Sequence, residues 1–367
     1  MTTIADIAAH LESIAPLGYQ EDYDNAGLLT GSHSWTCSGA LCALDATEAV
    51  IEEAVARKCN LVIAHHPVIF RGLKKLNGKS HVEKTVIAAI KNDIAIYAIH
   101  TNLDNVANGV NGRIADKLGL NNRNVLAPAE GGLKKLFTFV PTRYLEQVRS
   151  AIFAAGGGHI SRYSECSFVS EGKGSFKPGE GTNPFAGSIG IRQEEPEMKL
   201  EIILPAYLEQ RVLQALFESH PYEEVAYDLV NLTNAHGQRG AGLYGELPAE
   251  MEEKAFLALV KEQFGIPVIR HTSFTGKPVK QVAVCGGAGS FLLPNTLKAG
   301  VQAFITSDLK YHEFFEPEGN LLVCDIGHFE SEQFTTDLLI EILLQKFLNF
   351  AVLKSEVRTN PVNYFIG

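Results

Sequence analysis

Short apolar runs alternate with stretches of helical periodicity through the first third of the chain. Each run is almost continuously apolar and precedes a stretch of helical spacing: the runs are 40–44, 61–64 and 94–99, and the helical stretches lie near 47–58, 81–92 and 109–119. A helix is also predicted over residues 3–14, where Ile4, Ile7 and Leu11 recur at helical spacing. This alternation is typical of a parallel sheet covered on both faces.

The last third of the chain repeats the plan of the first. Its apolar runs are 281–285, 303–306 and 321–324, with helices predicted near 291–299, 310–316 and 330–347. Polar residues follow the equivalent runs in both thirds, which indicates a duplicated unit. We therefore predict an α/β fold, in which two similar three-layer α/β halves form one core.

The middle of the chain has a different texture. Segments 135–140 and 199–204 alternate apolar and polar residues, as half-exposed antiparallel strands do, and helices are predicted near 143–155 and 206–218. Residues 170–190 are rich in glycine, serine and proline, which predicts a long loop. We infer an inserted α+β domain, with predicted boundaries at 1–130 for the first half, 131–236 for the insert and 237–367 for the second half.

Composition excludes several classes of protein. The 42 acidic and 32 basic residues give a formal charge of -10, which argues against a general nucleic-acid binder. No apolar run approaches the roughly 20 residues of a membrane span, and the start of the chain lacks the pattern of a signal peptide. The six cysteines are scattered and include no CxxC pair. We expect a cytoplasmic protein with reduced thiols.

The most informative chemical feature is His65-His66, where the second apolar run ends. Neutral imidazole is the commonest protein ligand for transition metals. Adjacent strand residues point to opposite faces, so these two histidines are expected to serve one ion each rather than chelate a single ion. The pair therefore suggests a dinuclear site, although a strand-end histidine is more often a hydrogen-bonded structural residue.

Other strand ends supply candidate partners. Asp104 follows the third run, and His328 and Glu332 are four residues apart at the start of a predicted helix, which places both on one face. Imidazole and carboxylate without thiolate suit an open, catalytic type of site. Further residues are candidates to orient these ligands or to move protons: Asp24, His100, Asp308 and His312.

These residues lie within motifs through which the whole chain resembles the NIF-three family of dinuclear-metal proteins, whose bacterial members are labelled GTP cyclohydrolase 1 type 2 homologues. The motifs are 24–28, 65–70, 100–104, 307–312 and 327–332. The resemblance implies that two divalent ions are bound by five residues: His65, His66, Asp104, His328 and Glu332. Zinc or iron is favoured, and manganese or nickel suits the same donors. The resemblance also implies a toroidal homohexamer.

The insert resembles the one in the longer bacterial members of that family, which is similar to the trimeric PII-like and CutA-like signalling folds. The resemblance rests on 158–160, 163–168 and 220–228. His220, Glu223 and Glu224 could suggest another metal site. We favour a different role for these three residues, in shaping a turn and a trimer contact, because no second imidazole lies nearby in sequence.

Two functions remain open. The first is metal-dependent hydrolysis of a nucleotide or related small molecule, since the family label suggests opening of the guanine ring of GTP. The second is a non-catalytic metal carrier or a regulatory protein. Arg71, Lys74, Lys75 and Lys79 could hold phosphates or be only a solvated surface, and 285–290 could offer backbone N–H groups to an anion. DNA-linked regulation is disfavoured, because the net charge opposes it.

Overall fold

The computed structural model of this chain describes residues 1–129, 131–160, 163–234 and 239–365. The helices are α1 (Ile4–Ile14), α2 (Glu48–Ala56), α3 (His81–Lys91), α4 (Thr101–Asp104), α5 (Val110–Lys117), α6 (Leu145–Ala154), α7 (Glu209–Ser219), α8 (Glu253–Phe264), α9 (Leu293–Ala299), α10 (His328–Glu332) and α11 (Thr335–Lys346). The strands are β1 (Gly27–Thr30), β2 (Ala40–Asp45), β3 (Leu61–His66), β4 (Ala95–Ala98), β5 (Asn121–Pro128), β6 (Leu133–Pro141), β7 (Ser167–Phe176), β8 (Gln193–Pro205), β9 (Tyr227–Leu232), β10 (Gly240–Met251), β11 (Arg270–His271), β12 (Val279–Ala288), β13 (Ala303–Ser307), β14 (Leu322–Asp325) and β15 (Val352–Lys354).

The chain divides into two compact units. One comprises Met1–Pro128 and Gln238–Gly367, and the other comprises Ala129–Gly237. The boundaries predicted from the sequence, 130/131 and 236/237, fall at or beside residues 130 and 235–238, which lie outside the described residues.

The first unit contains two sheets with related strand orders. One has the order β1-β4-β3-β2-β15, and the other has the order β11-β14-β13-β12-β10-β5. In each sheet three consecutive strands of the chain are parallel, and a short antiparallel strand flanks the third of them. The expectation of a mixed α/β fold is confirmed.

One apolar cluster joins the two sheets. Ile63 of β3 and Ile305 of β13 are both fully buried in it, together with Leu11 of α1 and Leu339 of α11. Removing this much apolar surface from water is the main favourable contribution to folding. Smaller clusters cover the opposite face of each sheet. The carboxyl ends of the parallel strands are held in place by this shared core.

Several predicted elements differ from the structure. The helix predicted over 330–347 begins earlier and is divided into α10 and α11, and Gly327, with φ of 93°, precedes α10. The helix predicted near 310–316 is a short 3₁₀ helix, Tyr311–Phe315. Strands β5 and β10 were not predicted, because their polar, glycine and proline residues interrupt the apolar alternation.

The second unit has a four-stranded antiparallel sheet in the order β7-β8-β6-β9, with helices α6 and α7 between strands. Its β-α-β-β-α-β sequence of elements is that of the ferredoxin-like split βαβ motif. The predicted loop over 170–190 is wrong in its first part, because residues up to Phe176 belong to β7 and pair with β8. Strand β7 lies at the edge of the sheet, where Gly172 and Gly174 are tolerated. These glycines interrupt the strand pattern, so the sequence did not predict β7. The likeness of this unit to PII and CutA proteins stays a prediction.

Among the described residues, every helix is too short or too polar to cross a membrane.

Phe304 tests how strongly the second sheet depends on its packing. This side chain of β13 is fully buried, so Phe304→Ala is expected to lower the free energy of unfolding by about 3–5 kcal/mol. Phe315→Ala is the matched control, because Phe315 is 62% exposed, and we expect a change within about 0.5 kcal/mol. Urea denaturation followed by circular dichroism measures both, and equal effects of the two substitutions would contradict this packing.

Candidate metal centre

The first two of the five predicted ligand residues lie at the carboxyl end of β3, where the pleat directs His65 and His66 to different faces of the sheet. The five residues, His65, His66, Asp104, His328 and Glu332, are called the cluster below. The His65 ring is fully buried, and its Nδ1 donates to the carbonyl oxygen of Ile99 at 2.8 Å. That hydrogen bond places the proton on Nδ1 and leaves Nε2 with a free lone pair. A metal ligand of the neutral imidazole type needs this tautomer.

His66 is oriented by a neighbouring strand. Asp45 ends β2 directly opposite His66, and its Oδ1 accepts a hydrogen bond from His66 Nδ1 at 2.8 Å. The other ring nitrogen, Nε2, lies 3.0 Å from Glu332 Oε2. Carboxylates in the position of Asp45 fix the ring and increase the basicity of the ligating nitrogen.

The second half of the unit contributes His328 and Glu332 from one face of α10. His328 Nε2 lies 3.2 Å from Glu332 Oε2 and 3.3 Å from His66 Nε2. Its Nδ1 donates to Asp308 Oδ2 at 2.5 Å. His66 and His328 are thus oriented in the same way. In each ring Nδ1 donates to a carboxylate, and Nε2 points into the group of predicted ligands.

Asp104 completes the group from the end of α4. Its Oδ1 lies 3.6 Å from His65 Nε2, and Glu332 Oε1 lies 3.9 Å from that nitrogen. Each oxygen of Glu332 therefore faces a different imidazole. The structure brings all five predicted ligand residues together.

When the neutral His66 and His328 rings carry their protons on Nδ1, three buried atoms at the centre of this group have no hydrogen-bond donor: His65 Nε2, Asp104 Oδ1 and Glu332 Oε2. Buried polar atoms without partners are costly, and a cluster of nitrogen and oxygen lone pairs that face one another suits a cation. Two overlapping groups could hold a metal ion, His65-His66-His100 and His66-His328-Glu332. The donor set fits a divalent transition metal.

The local charges favour a cation as well. Burial opposes protonation of His66, but its contacts with Asp45 and Glu332 prevail and raise its pKa to about 10. The pKa of His328 rises to about 11 in the same way, through Asp308 and Glu332. Burial and the Glu332 charge raise the pKa of Asp104 well above its usual range. Excess negative charge at the cluster thus attracts positive charge, whether protons or a metal.

Gly287 permits the close approach of Glu332. Its φ is 63°, and a Cβ at this position would lie 2.5 Å from Glu332 Oε1. The N–H groups of Gly286 and Gly287 donate to Asn111 and Ser331. These two N–H groups are therefore not available to an anion, and anion binding by the rest of segment 285–290 stays a prediction.

His100 and Asp24 form a hydrogen-bonded pair beside the ligands. His100 Nδ1 donates to Asp24 Oδ1 at 2.8 Å, and Asp24 Oδ2 accepts from the N–H and hydroxyl of Thr101. Burial acts against ionisation of Asp24, but these hydrogen bonds prevail and lower its pKa to about 2. The His100 ring lies 5.3 Å from the rings of both His65 and His66.

Other candidates lie elsewhere. His312 is exposed on the 3₁₀ helix and contacts Tyr311 rather than the cluster. The basic residues Arg71, Lys74, Lys75 and Lys79 are exposed and do not line the cavity described below. In the insert, both ring nitrogens of His220 are used in hydrogen bonds with Phe139 and Tyr222, which leaves none for a metal.

A cavity of about 960 Å³ is lined by four of the five clustered residues: His66, Asp104, His328 and Glu332. Aromatic side chains line it along with the polar groups: Tyr23, Phe70, Phe291, Phe329 and Tyr364. This volume and this mixture of apolar walls and a few polar groups are typical of small-molecule sites.

Sequence reasoning missed Asp45 and Asn111. Asp45 could have been found, because it ends the strand next to the histidine pair in a parallel sheet. Asn111 lies within α5 and connects Asp104 to Gly286 through its amide, a role for which the sequence carries no signal.

Comparisons with known proteins identify the family of this chain. The family model of Duf34/NIF3 (NGG1p interacting factor 3) matches residues 2–361. The chain is 37% identical to the GTP cyclohydrolase 1 type 2 homolog of Bacillus subtilis over 96% of each chain, and 38% identical to that of Halalkalibacterium halodurans over 96% of each. Among solved structures, a Bacillus cereus protein related to NIF3 superposes with a TM-score of 0.84 at 36% identity, over 99% of both chains. The chain belongs to the Duf34/NIF3 family.

Proposed function

We propose that the five clustered residues bind two divalent metal ions. Glu332 supports this reading, because Oε2 faces His66 and His328 while Oε1 faces His65. A carboxylate placed between two sets of imidazoles is suited to be shared by two cations. His65 and Asp104 would complete one set, and His66 and His328 the other. Zinc or iron suits these donors, and manganese or nickel is compatible with them.

We further propose that the centre serves a metal-dependent hydrolase acting on a nucleotide or a related small molecule. The observation that carries the proposal is the convergence of unpartnered buried ligand atoms at an open cavity. The names of the relatives, GTP cyclohydrolase 1 type 2 homolog, agree with it. When bound, paired divalent ions lower the pKa of water and polarise a substrate oxygen.

Residues around the centre would accept a proton, provide a surface for the substrate and orient the metal ligands. Asp24 holds His100 with its proton on Nδ1, so that Nε2 is free to accept a proton from a reacting group in the cavity. Phe70 and Tyr23, with ring centroids 6.1 Å apart, give an apolar wall against which a planar heterocycle can stack. Asp45 and Asp308 hold the ligand imidazoles in place.

We also propose that copies of the chain form the toroidal hexamer that the sequence resemblance implies, with the insert similar to PII and CutA proteins. Membership of the Duf34/NIF3 family supports this proposal.

The second candidate function is that of a metal carrier or a regulatory protein that forms the same ring. Light scattering coupled to gel filtration measures the oligomer.

Glu332→Gln tests the metal centre. The substitution preserves size but removes the charge that both sets of imidazoles face, so metal content is expected to fall from about two ions per chain to below one. Glu52→Gln, an exposed change on α2, is the matched control and should leave the content unchanged. Elemental analysis by plasma mass spectrometry measures both. Full occupancy in Glu332→Gln would contradict the shared role of this carboxylate.

Metal removal is expected to destabilise the first unit, because it leaves three buried polar atoms without partners. An ion at a hundred times its dissociation constant stabilises the folded state by about 2.7 kcal/mol. Thermal unfolding with and without chelator should show a reversible fall in the midpoint. His65→Ala should lose this response to metal, and an equal response in wild type and variant would place the ion elsewhere.

Hydrolysis is tested with GTP and a panel of nucleotides on fully metallated protein. We expect measurable turnover in wild type and a loss of about 100-fold or more in His65→Ala and Glu332→Gln. His100→Asn should lower turnover about 100-fold while metal content is retained. Turnover that survives loss of the metal would exclude metal-dependent hydrolysis at this centre. A metallated but inactive wild type would favour the carrier or regulator.

A further inference from the structure

The inserted unit contains a second cavity, of about 630 Å³, that no part of the proposed hydrolase uses. Strands β7 and β8 form one side of it, and the segments 177–185 and 222–226 form the other. All residues that line it belong to the second unit. Its walls are aromatic and carry one deeply buried carboxylate: Phe139, Phe176, Phe185, Tyr222 and Glu197.

Glu197 is buried without a compensating positive charge. The residue is 7% exposed, and its Oε1 accepts one hydrogen bond, from the Tyr222 hydroxyl at 2.8 Å. It forms no ion pair with any Lys, Arg or His among the described residues. Burial, with a contribution from Glu197, raises the pKa of Tyr222, so the hydroxyl keeps its proton and donates it. A buried carboxylate with one neutral donor is a costly arrangement, unless a cation completes it.

Of the lysines that line the cavity, Lys173 and Lys199 are engaged elsewhere, and Lys177 is exposed and forms no ion pair with Glu197. Lys173 Nζ lies 2.9 Å from Glu194, and Lys199 Nζ lies 3.1 Å from Glu201. On the sheet side, Gly174 makes room for the carboxylate, because a Cβ there would lie 2.0 Å from Glu197 Oε2. The positive charge that Glu197 lacks is therefore to be sought in a ligand.

Aromatic rings surround the same space. The Tyr222 ring lies 5.9 Å from the Phe176 ring and 5.4 Å from the Phe185 ring, with interplanar angles of 57° and 51°. These rings are tilted rather than stacked on one another, and the face of an aromatic ring attracts an organic cation, as it does for the Arg143 guanidinium 4.9 Å from the Phe185 ring. The backbone N–H of Asn183 donates to both carboxylate oxygens of Glu223 at 3.1 Å, which holds the loop that carries Phe185 against the unit.

We propose that this cage, defined by Phe139, Phe176, Phe185, Tyr222 and Glu197, binds a small molecule with an organic ammonium group. A metal ion fits poorly, since divalent cations need several oxygen or nitrogen ligands and the cage centres on one carboxylate. An ammonium or alkylated ammonium ion needs one counter-charge and aromatic faces, and both are present. The insert would thus bind a small organic cation at a site that shares no residue with the proposed metal centre.

The test is isothermal titration calorimetry of the full chain with choline and with 3,3-dimethylbutan-1-ol, in which carbon replaces the charged nitrogen of choline. We expect choline to bind at least about tenfold more tightly than the alcohol, because the gain comes from charge. Ethanolamine is a further probe that compares a primary with a quaternary head group, and preference for either cation over the alcohol supports the proposal.

Variants locate the binding. Glu197→Gln keeps the acceptor for Tyr222 but removes the charge, and should weaken choline binding about tenfold or more. Glu218→Gln, exposed on α7 and bonded to Gln214, is the matched control and should bind as wild type does. Phe176→Leu keeps an apolar wall without the ring face, and should weaken binding several-fold.

Three results would overturn the proposal: equal binding of choline and the alcohol, unaltered binding by Glu197→Gln, or absence of binding up to about 10 mM. Circular dichroism checks that each variant folds. If Glu197→Gln does not fold, the decision rests on Phe176→Leu, for which unaltered choline affinity would also overturn the cage.

Discussion

The first unit depends on one electrostatic constraint, a buried carboxylate faced by three imidazoles. Glu332 is almost fully buried, and an isolated charge there would be prohibitively costly. Contacts with His65, His66 and His328 outweigh that burial and hold its pKa well below the usual range, so it stays ionised. Because Asp45, Asp308 and the Ile99 carbonyl fix the rings from behind, the imidazoles present Nε2 to the Glu332 carboxylate, His65 to Oε1 and the other two to Oε2.

This constraint also explains why the two halves of the core must meet. His66 and His328 are 262 residues apart in the chain, yet their Nε2 atoms lie 3.3 Å apart. The shared apolar cluster, to which Ile63 and Ile305 both belong, brings the carboxyl ends of β3 and β13 together. Neither half alone contains all five of the clustered residues, because His65, His66 and Asp104 come from the first half and His328 and Glu332 from the second.

Two buried carboxylates, Glu332 and Glu197, have different surroundings in this protein. Glu332 has several nitrogen and oxygen neighbours, and that environment suits a metal ion. Glu197 has one hydroxyl and aromatic walls, and that environment suits an organic cation instead. The surroundings rather than the carboxylate itself determine which cation is favoured.

The sequence by itself determined the mixed α/β class, because continuous apolar runs with helical spacing between them have few other solutions. It also placed His65, His66, Asp104, His328 and Glu332 at element ends, where parallel strands gather ligands. Only the tertiary structure showed how Asp45, Asn111 and Gly287 support that group, since their roles depend on register and close approach. The Glu197 cage was equally invisible, because burial without a counter-charge is a property of packing and not of order along the chain.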